Sequence, residues 1–342
     1  MRNGLSKDLI VRVLGGVPGW TLDELEEKFP ARNLSEGAFV TRFAPSPTGF
    51  MHVGNLYGAL IDYKLAQQSN GVFMLRIEDT DTKREVSGAV EIVKNAMASF
   101  GLQYNNDEKY GPYYQSKRKD IYRSVAAYLL EKGLAYPCFL KPEEMDEIRK
   151  KQTAAGFATG IYGEFARDRD LTDEEIIAHL DNGEIPSIRL YSTGNPENRI
   201  YCKDAVRGSI SFPENNEDLV LIKSNDGLPT YHFAHLVDDH FMRTTHVVRG
   251  EEWLPSLPLH YQLFRMMGWT PPLYIHTSTI DKIDAETGKQ RKLSKRHDPE
   301  ANVAFFLRDG WPTDAVIDYL GNIASSGYEE AKNINEFMEE QK

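Results

Sequence analysis

Apolar positions along the chain follow two rhythms. Short apolar runs bounded by turn residues, at 38–43, 72–78, 218–223 and 245–249, read as strands, and further extended segments lie at 187–192 and 199–203. Longer stretches repeat their apolar residues at about 3.6-residue spacing and read as helices. One covers 55–68, with Leu56, Ala59, Leu60 and Tyr63 on a single face. Others cover 87–100, closed by Gly101, and 116–132, with Ile121, Val125 and Leu129 aligned and Gly133 at the end. Helices are also expected at 142–153, 172–182, 231–240, 257–267, 301–309 and 313–324. Thr21-Leu22-Asp23-Glu24 has the form of a capping box, opening a short helix that Pro30 stops after Phe29. Residues 1–36 are expected to be a packing or partner-contact arm without chemistry. Strand, helix and strand over 37–100 make a β-α-β unit, which predicts an α/β fold with a parallel sheet that binds ligands at the carboxyl ends of its strands.

The first strand runs into Arg42-Phe43-Ala44-Pro45-Ser46-Pro47-Thr48-Gly49-Phe50-Met51-His52-Val53-Gly54-Asn55. Two prolines, each lacking an N–H donor, stop the strand, and the helical pattern starts after Gly54. A strand, tight turn and helix present backbone N–H groups and a positive helix end, where anions bind. Ser46 and His52 add side-chain donors, while Gly49 and Gly54 permit close approach to the backbone. A triphosphate site fits this stretch, although His52 is also placed to be an ordinary helix cap. A second stretch, Lys292-Leu293-Ser294-Lys295-Arg296, sits in a polar, glycine-containing loop that begins near Asp284; its two lysines suit phosphates, although alone such a run usually marks a solvated face. Glu78 stands at the end of the second strand, where a plain ion pair with a neighbouring arginine is the simpler role.

A length of 342 residues calls for two or more domains, and 41% apolar with 27% charged residues describes a globular enzyme. Neither a bilayer-spanning apolar run nor a signal peptide stands out, so a cytoplasmic protein without membrane contact is expected. The two cysteines, Cys138 and Cys202, offer no disulfide framework. A net charge of −11 argues against nonspecific binding of nucleic acid, so DNA is not an expected partner. A polyanionic partner needs local basic surface instead. Two patches are candidates: Lys289, Arg291, Lys292, Lys295, Arg296 and His297, and Lys117, Arg118, Lys119 and Arg123. The Asp238-Asp239-His240 run is not an expected metal site, because consecutive helical residues diverge by about 100°.

The His52 and Lys292–Lys295 stretches together resemble the paired signatures of class I aminoacyl-tRNA synthetases. Pro45-Ser46-Pro47-Thr48-Gly49, Arg76-Ile77-Glu78-Asp79-Thr80-Asp81, Pro229-Thr230-Tyr231-His232, Val237-Asp238-Asp239-His240 and Arg249-Gly250-Glu251-Glu252-Trp253 are similar, in order and spacing, to motifs of the glutamyl-tRNA synthetase family over roughly 37–325. The resemblance implies a Rossmann-like catalytic core at 37–100 and 211–290, interrupted at 101–210 by an inserted α+β domain that holds the tRNA acceptor end. A lysine loop and the start of a C-terminal helical domain would occupy 291–342, and the chain would be truncated before an anticodon-binding region. The implied activity is ATP-dependent conversion of L-glutamate to glutamyl-adenylate and transfer to the 3′ end of tRNA(Glu), with tRNA(Gln) left open as an acceptor. ATP would arrive with Mg²⁺. Zinc, which some members build from several cysteines in the insertion, is not expected around the solitary Cys138.

The same resemblance, with the chemistry of each residue, gives expected roles. His52, Lys292 and Lys295 would be catalytic, stabilising charge on the phosphates and holding the departing pyrophosphate. Ser46, His52, Gly54, Asn55, Glu252, Trp253 and Lys295 would bind ATP. Arg42, Ala44, Ser46, Glu78, Tyr231, His235 and Arg249 would form the glutamate pocket, with Arg42 and Arg249 clamping the side-chain carboxylate and Glu78 accepting the ammonium. Three positions depart from common family patterns: Asn55 for a second histidine, His235 for a pocket asparagine, and Arg296 for a serine. Two alternatives stay open, a glutamyl-queuosine synthetase acting on a tRNA base and a non-catalytic tRNA-binding paralogue.

Overall fold

A computed structural model describes residues 3–81, 84, 86–284, 287–294 and 297–324. Its strands in chain order are β1 (Val40–Phe43), β2 (Val72–Leu75), β3 (Ala135–Cys138), β4 (Ser187–Leu190), β5 (Arg199–Asp204), β6 (Gly208–Pro213), β7 (Val220–Ile222), β8 (His246–Gly250), β9 (Leu273–Thr277), β10 (Asp281–Ile283) and β11 (Gln290–Lys292). β1 and β2 pair in parallel through the helix Val53–Gln68, as the β-α-β pattern requires. β8 and β9 are also parallel, β9 touches β5 in parallel through Asp204 and Tyr274, and β6 closes that sheet antiparallel to β5. The β1–β2 pair lies against β8, where Thr245 N–H donates to the Val40 carbonyl at 2.9 Å and Val40 N–H donates to Thr245 Oγ1 at 2.8 Å. A separate antiparallel sheet has the order β3-β4-β7.

The crossover helix starts two residues earlier than the periodicity places it, because His52 caps it. Leu56, Ala59 and Leu60 of its predicted face are fully buried; full burial of one leucine contributes about 1.5–3 kcal/mol. Tyr63 is only partly buried and meets Phe73 edge-on at 5.8 Å. β2 ends at Leu75 rather than at 78, since Ile77 N–H turns to the Tyr113 carbonyl and Glu78 N–H to Pro45. Five strands had no place in the apolar pattern: β3, which contains Pro137, β6, β9, and the two strands of the β10–β11 hairpin in the stretch expected as a loop. Asn225-Asp226-Gly227 does turn, with Gly227 at φ +65°, and delivers the chain to the helix Tyr231–Phe241.

The largest buried cluster joins Leu5, Leu9, Ile10, Val13, Leu25 and Phe29 of the amino-terminal arm to the helices Lys119–Glu131 and Tyr231–Phe241. The arm is thus a packing element. The Thr21 capping box forms as read, and Glu26 pairs with Arg243 and His240 at 2.6 Å each. Gly4 lies so close to the helix Lys119–Glu131 that an added Cβ would stand 1.6 Å from the Glu131 carbonyl oxygen. A second cluster packs the helix Val53–Gln68 against Val93, Met97, Val303, Ile317 and Leu320. Among the described residues, no helix is long and apolar enough to cross a membrane.

Candidate active site

One cavity of about 970 Å³ opens where β1, β8 and β9 end, at the upper end of the ~300–1,000 Å³ usual for ligand sites. Arg42, Ala44, Ser46, His52, Gly54, Asn55, Glu78, Tyr231, Arg249, Glu252, Trp253 and Lys292 all line it. The turn after β1 is braced from both sides. Arg76 N–H donates to the Phe43 carbonyl and Glu78 N–H to Pro45, while Val303 N–H donates to Met51. Gly49 takes φ +129°, a conformation that side chains disfavour. His52 Nδ1 accepts from Gly54 N–H at 3.0 Å, so a neutral ring carries its proton on Nε2. Capping and ligand contact are compatible in one imidazole. Gly54 permits this closeness, since a Cβ there would lie 3.2 Å from His52 Nδ1.

On the opposite wall Tyr231 packs on Trp253 with ring centres 4.4 Å apart. Lys292 reaches the cavity from the end of β11, and the hairpin is held by Asp298, which accepts from Lys282, from both Nη atoms of Arg291 and from Ser294 N–H at 2.7–2.8 Å. These partners hold the Asp298 carboxyl well below the usual carboxylate range. Lys295 and Arg296 lie outside the described residues. The first basic patch is weaker than its composition, because Arg291 is occupied by Asp284 and Asp298. The second loses Arg118, which is 1% exposed and donates to Asp238 at 2.6 Å, while Lys117 and Lys119 stay exposed, the latter donating to the Asp226 carbonyl.

Arg42 and Arg249 both face the cavity, but in different electrostatic states. Arg42 donates to Asp239 from Nε at 3.1 Å and from Nη2 at 3.5 Å. Asp239 also accepts from Arg76 Nη1 at 2.6 Å and lies 2.8 Å from His235 Nδ1. Burial alone would raise the Asp239 pKa, yet Arg42, Arg76 and His235 outweigh it and hold it well below the ordinary value. Arg76 bridges onward to Glu78 at 3.0 Å, so the expected ammonium acceptor is also an ion-pair partner; burial raises its pKa against the pull of Arg76 and Arg42. His235 is fully buried behind Tyr231, its Nε2 2.9 Å from Tyr274 Oη, and does not line the cavity. This corrects its expected place in the pocket wall. The i,i+4 spacing from Asp239 directs its ring into the ion-pair network.

Arg249 has no carboxylate within 4.0 Å among the described residues. Its Nε donates to His276 Nε2 at 2.9 Å, and its Nη1 lies 3.1 Å from His260 Nδ1. Tyr274 lies under the guanidinium at 4.7 Å. Nη2 is buried and makes no hydrogen bond among the described residues, although the Tyr231 hydroxyl, whose pKa burial raises, lies near enough for the guanidinium to pull that pKa down. The cavity is thus walled by one neutralised arginine and one arginine whose charge has no direct counter-ion, a setting that attracts a carboxylate. Sequence reasoning missed Arg76, Asp204, His260 and His276. An arginine inside the apolar run Met74-Leu75-Arg76-Ile77 was a usable signal, since a charge there needs a buried partner. Among the described residues no three His, Cys, Asp or Glu side chains come together as a metal-holding group, and Cys138 and Cys202 are buried thiols.

Comparison with known proteins agrees with this architecture. The family model for the catalytic domain of class I tRNA synthetases (E and Q) matches residues 38–342. The chain is 55% identical over 309 residues to a glutamate–tRNA ligase of Acetivibrio thermocellus, covering 88% of this chain and 56% of that protein. It is 52% identical over 334 residues to one from Clostridium beijerinckii, covering 95% and 60%. The glutamate-tRNA synthetase of Elizabethkingia anophelis superposes with a TM-score of 0.74 at 35% identity, covering 88% of this chain and 65% of that one. The glutamate tRNA ligase of Elizabethkingia meningosepticum, solved in complex with its amino acid, gives 0.72 at 33% identity, covering 88% and 64%. The chain therefore spans less than two thirds of the length of these relatives. Over that span it belongs to the class I tRNA synthetase (E and Q) family, as its catalytic domain.

Proposed function

We propose that the chain is the catalytic portion of a glutamate–tRNA ligase. It would activate L-glutamate with ATP to glutamyl-adenylate and pass the glutamyl group to the 3′ end of tRNA(Glu), with tRNA(Gln) as a second acceptor to be tested. The observation that carries the substrate assignment is the Nη2 of Arg249, a buried cationic donor without a hydrogen-bond partner among the described residues, on a residue that lines the cavity. A side-chain carboxylate satisfies it, whereas the amide of glutamine presents donors to a donor on one of its two faces and brings no charge. Arg42, Glu78, Ser46 and Tyr231 would complete the amino-acid pocket. His52, the turn amides after β1 and Lys292 face where a triphosphate would lie, with Lys295 assigned there on the motif alone. ATP supplies the activating phosphate and Mg²⁺ accompanies it; for this chemistry the protein mainly positions the reactants and stabilises charge. We further assign 101–210 to the tRNA acceptor end and place the enzyme in the cytoplasm.

The test is exchange of labelled pyrophosphate into ATP by this chain, with glutamate or glutamine and with or without tRNA. Exchange that needs both glutamate and tRNA supports the ligase. Glutamate-dependent exchange without tRNA favours the queuosine-type enzyme, and no exchange by the folded protein favours a binding paralogue.

A further inference from the structure

Two neutral imidazoles, rather than carboxylates, hold the guanidinium of Arg249. Asp204 Oδ2 accepts both the backbone N–H of His276, at 3.1 Å, and its ring Nδ1, at 2.6 Å. That carboxylate fixes the proton on Nδ1, and Nε2 is left with the lone pair that accepts from Arg249 Nε at 2.9 Å. On the other edge His260 Nδ1 accepts from Nη1, so its own proton sits on Nε2, facing His232 Nδ1 at 3.0 Å. Asp204, His260 and His276 are 3%, 0% and 0% exposed. Burial lowers the pKa of both imidazoles, which keeps them neutral beside the arginine.

We propose that Asp204 and His276 are specificity-determining positioning residues: they fix Arg249 through an uncharged contact, so that its positive charge stays available to the substrate's side-chain carboxylate. The inference rests on the glutamate reading above. A carboxylate in direct contact with Arg249 would orient it equally well, but would also neutralise it and repel an acidic substrate. Placing Asp204 one imidazole behind separates orientation from neutralisation. The neutral His276 acceptor holds the fork, and Asp204 holds His276. The Arg42–Asp239 pair in the same cavity shows the alternative arrangement, direct contact with a carboxylate.

The test uses His276→Gln, whose side-chain oxygen can replace Nε2 as acceptor, and His276→Asn, whose shorter side chain can keep the Asp204 contact but not the reach to Arg249. Asp204→Asn is the second site. Pyrophosphate exchange with tRNA present gives separate KM values for L-glutamate and ATP, glutamine serves as the competing amino acid, and thermal unfolding checks the fold. His276→Asn is expected to raise the KM for glutamate about tenfold or more and to narrow the preference for glutamate over glutamine, while the KM for ATP is unchanged. His276→Gln should recover most of the loss, and Asp204→Asn should fall between. Equal behaviour of the Gln and Asn variants, or a parallel change in both KM values with lowered thermal stability, overturns the positioning role. Wild-type protein without glutamate-dependent exchange overturns the glutamate reading, and this inference with it. If His276→Asn does not fold, Asp204→Asn decides: an unchanged glutamate KM in a folded Asp204→Asn protein refutes the proposal.

Discussion

Asp239→Asn removes the charge on which Arg42 and Arg76 converge while keeping its volume. In the native protein Asp239 accepts from Arg42 Nε at 3.1 Å and Arg76 Nη1 at 2.6 Å, and both arginines and the aspartate are at most 4% exposed. After the substitution Arg42 has no carboxylate within 4.0 Å among the described residues, while Arg76 keeps Glu78 at 3.0 Å and a distant Asp238 at 3.9 Å. Breaking a buried pair from one side costs about 3–5 kcal/mol, which is roughly two to four decades in the folding equilibrium. Equilibrium urea unfolding followed by tryptophan fluorescence measures it, with Asp146→Asn as the comparison. Asp146 pairs with Arg149 at 2.7 Å, but both side chains are 59% exposed, so this change should be indistinguishable from wild type. The surviving folded Asp239→Asn protein should also show a raised glutamate KM, because Arg42 is no longer held. A midpoint for Asp239→Asn equal to that of Asp146→Asn would refute the claim that this network organises the pocket.

Three other outcomes follow from the geometry. Burial lowers His232, His235 and His240 to about 4; the unfolded chain takes up protons near about 6.5, where the native state does not, so stability should fall as pH drops from 6.5 towards 4, by up to about 1.4 kcal/mol per pH unit for each histidine. A urea midpoint that stays flat between pH 7 and 5 contradicts that reading. Gly54→Ala should displace the His52 ring, reducing adenylate formation about ten- to a hundredfold with little change in thermal unfolding; full activity would remove His52's cap from the account. Asp298→Ala should free the hairpin that carries Lys292, raising the KM for ATP more than that for glutamate, and equal KM values in variant and wild type would argue that the hairpin needs no such anchor.

Much of the fold was legible because local chemistry and tertiary structure agree. The prolines at 45 and 47, the glycines at 49 and 54 and the regular apolar face after them specify the strand, turn and helix without help from distant residues. The positive φ values of Gly101 and Gly133 likewise match their reading as helix ends. β3 was illegible because Pro137 argues against a strand, and β9 because Pro271 and Pro272 immediately precede it. β6 has exposed or half-exposed positions throughout and is held as an edge by its partner β5. The site was legible where motifs are contiguous and opaque where partners lie far apart. Arg42 meets Asp239 across 197 positions, and Arg118, read as surface charge, meets Asp238 across 120. No periodicity reports such pairs. His235 was misplaced for the same reason: its position on the helix could be read, but the buried carboxylate one turn later decides where its ring points.

Arg249 is the central element of the proposed site, the anchor of an acidic side chain. The most direct measurement is a crystal structure of this chain with bound L-glutamate. The predicted result is a side-chain carboxylate oxygen about 2.7–2.9 Å from Arg249 Nη2, with the His276 and His260 contacts intact and Arg42 still on Asp239. A glutamate whose side-chain carboxylate lies away from Arg249, with Nη2 still unpaired beside it, would contradict the central claim.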